Sequence, residues 1–219
     1  MTTATAHPAV PDLSAFLLAH AGFRVEFGRL AEALPHPRDA AHAALLEDQA
    51  DFLLSYLHHH HSDEDTVIWP WLRERAPRSA PLLDELEEQH EQIDPDVALA
   101  GDRSRPVAER AAAFARLHVA LNRHLDDEER TAVPLIHQHV SHAEWLAHGQ
   151  EVVKSYDKKR LPLLFGWACG AGAPALVAQA LAEFPVPIRV LFRLVWWPAY
   201  RRRHQALYGT PLRRRADRP

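Results

Sequence analysis

Apolar residues recur along this chain at spacings of three and four, and nowhere do Val, Ile, Thr and Tyr alternate with polar residues over the length of a strand. Alanine, leucine, glutamate and arginine dominate, and only Gly22 and Gly28 interrupt the first hundred residues. The pattern predicts an all-α protein. A first helix is expected over Leu13–Leu34, N-capped by Asp12 and stopped by Pro35 and Pro37. A second runs from about Arg38 to Arg75, with Pro70 kinking it or ending its regular part. A third starts near Pro81, a favoured first-turn residue, and reaches about Ala100, with Pro95 as a potential bend. A fourth spans Pro106 to about His139 and carries Pro134. Four long helices with short connections predict an up-down four-helix bundle over residues 10–140.

The pattern changes after Ser141. Ser141–Lys159 reads as a fifth helix, and Leu161–Ala182 contains no charged residue. Ile188, Leu191, Phe192 and Val195 then lie at helical spacing beside Arg189 and Arg193, and arginine clusters close the chain. Residues 141–208 are therefore read as a helical C-terminal extension and 209–219 as a disordered tail. The uncharged stretch is long enough to span a bilayer. Its Pro162, Gly166, Gly170, Gly172 and Pro174 favour a helical hairpin packed on the bundle or on another subunit instead.

Composition sharpens this division. Of 219 residues, 47% are hydrophobic and 25% charged, an ordinary balance for a globular protein that argues against disorder of the chain as a whole. Residues 1–150 carry 12 basic and 25 acidic side chains, a net of −13, whereas residues 151–219 carry 13 and 4, a net of +9. The basic part is expected to dock on the acidic part, within one chain or between copies in a homo-oligomer. No DNA-reading motif accompanies the arginines, so specific nucleic-acid binding is not expected. The polar first ten residues show no basic and apolar signal pattern, so a cytoplasmic location is expected. One cysteine, Cys169, excludes an intrachain disulfide and a cysteine-based metal site. Sixteen histidines make imidazole and carboxylate the donors available to any metal, a set suited to iron, manganese or zinc.

Two segments repeat each other. His60 is followed by Glu64, Asp65 and Pro70; His124 is followed by Glu128, Glu129 and Pro134. In both, Glu stands four residues after His and Pro ten residues after it. Residues i and i+4 share a helix face, so each pair can hold one cation or bridge two. His20 and His90 are the sole histidines of the first and third helices, so every helix offers an inward donor.

This arrangement resembles the hemerythrin-like, or HHE cation-binding, family over roughly residues 10–140. The resemblance implies a bundle around a non-haem di-iron centre, with His20, His60, Glu64, His90, His124 and Glu128 as ligands and Glu64 and Glu128 bridging two iron ions; manganese would accept the same donors. Oxygen-carrying members resemble a five-histidine set with His-x-x-x-His on the third helix. Here the residue four after His90 is Asp94, followed by Pro95. Asp94, His61 or water is left to complete the coordination, and the resulting carboxylate-rich site suits oxygen or peroxide activation better than reversible carriage. His61 otherwise faces solvent, being turned about 100° from His60. Three functions follow: a protein that binds or senses oxygen, peroxide or nitric oxide; a di-iron oxidoreductase that decomposes peroxide or oxidises a small molecule; and a regulatory module with structural metal. No nucleophilic triad, phosphate loop or dinucleotide fingerprint is present.

Overall fold

The structure is a computed structural model and describes residues 10–212. Among these residues every regular element is helical. The first helix, α1, spans Ser14–Ala33. Asp12 accepts a hydrogen bond from the Ser14 amide (2.8 Å), satisfying a first-turn donor. The second long segment begins at α2 (Ala40–Asp63), where Asp39 accepts from the His42 amide. It passes through one π-turn, Glu64–Ile68, into α3 (Trp69–Arg75). In that turn the Trp69 amide reaches back five residues to the Glu64 carbonyl. Pro70 lacks an amide proton and its ring would crowd the preceding turn, so the wider turn relieves the helix just before it. The matching Pro134 behaves differently and lies inside one helix, α5 (Val107–His139). Pro95 likewise lies inside α4 (Ala80–Gly101) without ending it.

α1 packs on α2 and α5, and α4 packs on the same two helices. Phe23, Phe27, Leu30, Leu46, Leu53 and Phe114 fill the main core between them. A second apolar cluster, including Ile68, Trp69, Leu72, Leu83 and Ile136, closes the other end. The buried polar site described below lies between the two.

The extension folds as α6 (His142–Ser155), α7 (Leu161–Ala171), α8 (Pro174–Ala182), α9 (Val186–Leu191) and, after a π-turn over Phe192–Trp196, α10 (Trp197–Tyr208). Ser141 and Glu144 form a reciprocal capping box at the start of α6. The uncharged stretch is broken between α7 and α8, and no helix among the described residues is long and apolar enough to cross a membrane. α7 lies on α1, and its Trp167 joins the main core. That approach depends on Gly22, where a Cβ would overlap the Trp167 ring; Gly166 similarly faces Tyr200 of α10. The basic extension docks on acidic helices of the same chain. Arg160 and Arg203 each pair with Asp48 at 2.7 Å, and the Tyr208 hydroxyl donates to buried Glu26 at 2.7 Å. Leu212 is buried, and residues 213–219 of the expected tail lie outside the described residues.

Candidate metal centre

Seven buried donors converge between the two apolar clusters. α1 brings His20, α2 brings His60 and His61, and Glu64 opens the π-turn. α4 brings His90, and α5 brings His124 and Glu128. They form two groups whose donor atoms lie close enough to hold an ion: His20, His60, Glu64 and Glu128 in one, His61, His90, His124 and Glu64 in the other. Glu64 is common to both. His60 Nε2 lies 3.1 Å from its Oε1, and His90 Nε2 lies 3.6 Å from its Oε2. Glu128 spans the groups too, with Oε2 at 3.6 Å from His20 Nε2 and 3.5 Å from His124 Nε2.

The surrounding hydrogen bonds fix which imidazole nitrogen is free. His20 Nδ1–H donates to Glu129 Oε1 (3.0 Å), which Arg24 also holds. His90 Nδ1–H donates to Asp65 Oδ1 (2.8 Å), and His124 Nδ1–H donates to Gln89 Oε1 (2.9 Å). Gln89 is oriented in turn by Asp127, to which its amide donates at 3.2 Å. Carboxylate and carbonyl oxygens only accept, so these three rings donate from Nδ1, and as neutral ligands they would aim a lone pair inward from Nε2. His90 Nε2 and His124 Nε2 then face each other at 3.1 Å. Two lone pairs at that distance repel unless a proton or a metal ion lies between them. Nitrogens each about 2.1 Å from one ion at roughly a right angle are separated by about 3 Å.

The donor atoms are otherwise unanswered. Nε2 of His20, His60 and His61, and all four carboxylate oxygens of Glu64 and Glu128, are buried without a hydrogen-bond partner. Buried polar groups are normally satisfied, and a concentration of exceptions marks a site that needs another atom. Burial depresses the basicity of His60, His61 and His124 well below the ordinary histidine value, and neighbouring histidines add to this. They are neutral, as ligands must be. Burial also raises Glu64, reinforced by the Glu128 charge, and raises Glu128. Two carboxylates held this close in an apolar shell call for positive charge. The donor set fits a pair of divalent or trivalent ions.

A family model, the hemerythrin HHE cation binding domain, matches residues 12–144. The chain belongs to this family. Neither the comparison with curated proteins nor that with solved structures gives a match.

Two placements bear on the alternatives that the sequence left open in this hemerythrin-type domain. Asp94 is exposed and lies in neither donor group. His61, read as facing solvent unless it completed the coordination, is buried and stacks on His90, with ring centroids 3.9 Å apart. The cluster brings together five imidazoles and two carboxylates, and of the residues left open to complete the coordination it includes His61 and not Asp94. The signal was present: Glu64 is four residues after His60 and three after His61, and both spacings share a face. Adjacent histidines turned by about 100° can serve two ions on either side of one carboxylate. The hydrogen-bonding roles of Gln89 and Asp127 had no comparable pattern, because they depend on how α4 meets α5. His58 and His59 are exposed.

Proposed function

We propose that this chain holds two iron ions in an up-and-down bundle of hemerythrin type and binds or senses oxygen, peroxide or nitric oxide there. The observation that carries the reading is the pair of buried donor groups sharing Glu64. His20 and His60 would serve one ion and His61, His90 and His124 the other, with Glu64 and Glu128 common to both. Manganese is the alternative metal for the same donors. When bound, the ions would supply redox-active, positively charged centres with an open position for a small oxidant or nitric oxide. The His20–His60 group has one imidazole fewer, so the open position belongs on that side. The protein's own part is to hold neutral imidazoles in fixed tautomers through Glu129, Asp65 and Gln89, and to exclude bulk water with the two apolar clusters.

Five imidazoles favour reversible binding. An oxidoreductase that decomposes peroxide or oxidises a small molecule is the second reading, supported by an apolar cavity that reaches His60. Metal analysis of the untagged chain, with absorption spectra before and after hydrogen peroxide, tests both. Two irons per chain and a stable coloured adduct are expected; rapid oxygen release would favour the enzyme. A chain without metal, whose stability and spectrum ignore His60→Ala and Glu128→Ala, would overturn the proposal.

A further inference from the structure

Where α6, α7 and α8 meet α1 and α2 they line a partly open cavity of about 180 Å³. Its walls are mainly apolar, with Phe16, Ile68, Leu164, Phe165, Leu181 and Phe184 around it. The polar side is α2, where His60 faces the cavity beside Asp63, and Asp63 accepts a hydrogen bond from His148 of α6 at 2.9 Å. Phe16 lies where this space meets the His20–His60 donor group, its ring centroid 4.3 Å from that of His20 and 5.4 Å from that of His60. His61, His90 and His124 are not among the lining residues. The cavity thus adjoins one donor group and not the other. Its outer wall comes from the extension and is absent from the four bundle helices alone.

We propose that this cavity is a binding site for a neutral, mainly apolar organic molecule of one ring or two small fused rings, such as a phenol or an indole. Size sets the first limit: an apolar cavity of about 150 Å³ accommodates benzene. Charge sets the second. No lysine or arginine lines the cavity, and its one lining carboxylate, Asp63, is already engaged by His148. A carboxylate ligand would be buried without a counter-ion, and an ammonium would have to displace His148 from Asp63, both costly in an apolar enclosure. A neutral ring with one hydroxyl or N–H loses little, because its polar end can face α2. The outer wall is suited to admission. No residue of α6 is fully buried, and it covers the cavity with Trp145, His148 and Val152. The cavity is partly open, and local movement of such a sparsely packed helix needs far less than global unfolding.

The ligand's place beside the His20–His60 ion rests on the metal reading above; its binding to the cavity does not. The test is calorimetric titration of the full chain, as purified and after chelation, with phenol and with indole, and with benzoate for comparison. Saturable one-to-one binding of phenol or indole is expected in both forms, with benzoate at least tenfold weaker. Val152→Trp, which puts a ring into the cavity from α6, should weaken binding at least tenfold. Gln150→Trp, an exposed position of α6 outside the lining, should leave it unchanged. Circular dichroism checks folding, and Leu181→Phe fills the cavity from α8 should Val152→Trp misfold. Absence of saturable binding to the parent chain, or equal binding to the parent and both filled variants, overturns the proposal. Two ions without phenol or indole binding would remove this site and leave the metal reading standing. Binding without any metal would support the site while the metal reading fell.

Discussion

Glu64→Gln should move stability in opposite directions with and without metal. Glu64 is fully buried, and burial together with the adjacent Glu128 charge holds its carboxyl well above the usual range. Wherever that raised carboxyl keeps its proton, folding of the metal-free chain requires Glu64 to take up a proton that the unfolded chain has lost. Each pH unit of that mismatch costs about 1.4 kcal/mol. That cost is absent below about pH 4.3, where both states hold the proton, and grows as pH rises toward the raised value. The depressed histidines His60, His61 and His124 act oppositely: their stabilisation grows as pH rises, and is complete above about pH 6.5. Above that pH these histidines add no slope, and metal-free stability should decline with pH wherever a buried carboxyl keeps its proton. Gln removes one such carboxyl. At 2–4 °C per kcal/mol, the metal-free variant should melt roughly 3–6 °C above the metal-free parent at pH 7.5 for every pH unit relieved. In the loaded protein the sign reverses. An ion at a thousandfold excess over its Kd adds about 4 kcal/mol, so two add about 8 kcal/mol, roughly 16–32 °C. Glu64 is shared by both donor groups, so most of this increment should vanish in the variant. Thermal melts of chelated and reconstituted protein between pH 6.5 and 8 measure both effects. A variant that melts lower than the parent even without metal, or that keeps both ions with parental stability, would refute the reasoning.

Four further outcomes follow from the same geometry. His61→Ala should reduce bound metal from two ions toward one by elemental analysis, whereas Asp94→Ala, at an exposed position, should change neither metal content nor melting temperature. Gln89→Ala, which frees the His124 ring, should weaken metal affinity about 10–100-fold in competition with a chelator. Gly22→Ala should cost about 1–3 kcal/mol in denaturant titrations, because its methyl group overlaps Trp167, and fluorescence should report loosening of α7 from α1. Arg110→Ala should cost about 3 kcal/mol, since buried Arg110 holds Glu47 through two hydrogen bonds of 2.7 Å and caps the Ala100 carbonyl. Arg110 keeps Glu47 below its ordinary range, so this contribution should be present above that range and fade as pH falls through it.

How much was legible beforehand differs from residue to residue. The His60–Glu64 and His124–Glu128 pairs announce themselves, because i,i+4 spacing fixes a shared face before any packing is known. His20 and His90 could be named by being alone on their helices. His61 and Asp94 could not be ranked by that logic. Each stands at a spacing compatible with the site, and what separates them is that α2 turns His61 onto His90 while position 94 of α4 has already rotated to solvent. The doubled prolines look equivalent in sequence, yet only Pro70 follows a π-turn; Pro134 is absorbed by a continuous α5.

The sequence by itself determined the helical class, the family pattern over the bundle and most donors, because these depend on periodicity and short-range spacing. Only the tertiary structure decided that Glu64 and Glu128 each lie between two groups of histidines, that Gln89 and Asp65 set imidazole tautomers, and that the extension closes a cavity against His60. These features join residues far apart in the chain, and their geometry exists only once the helices have packed.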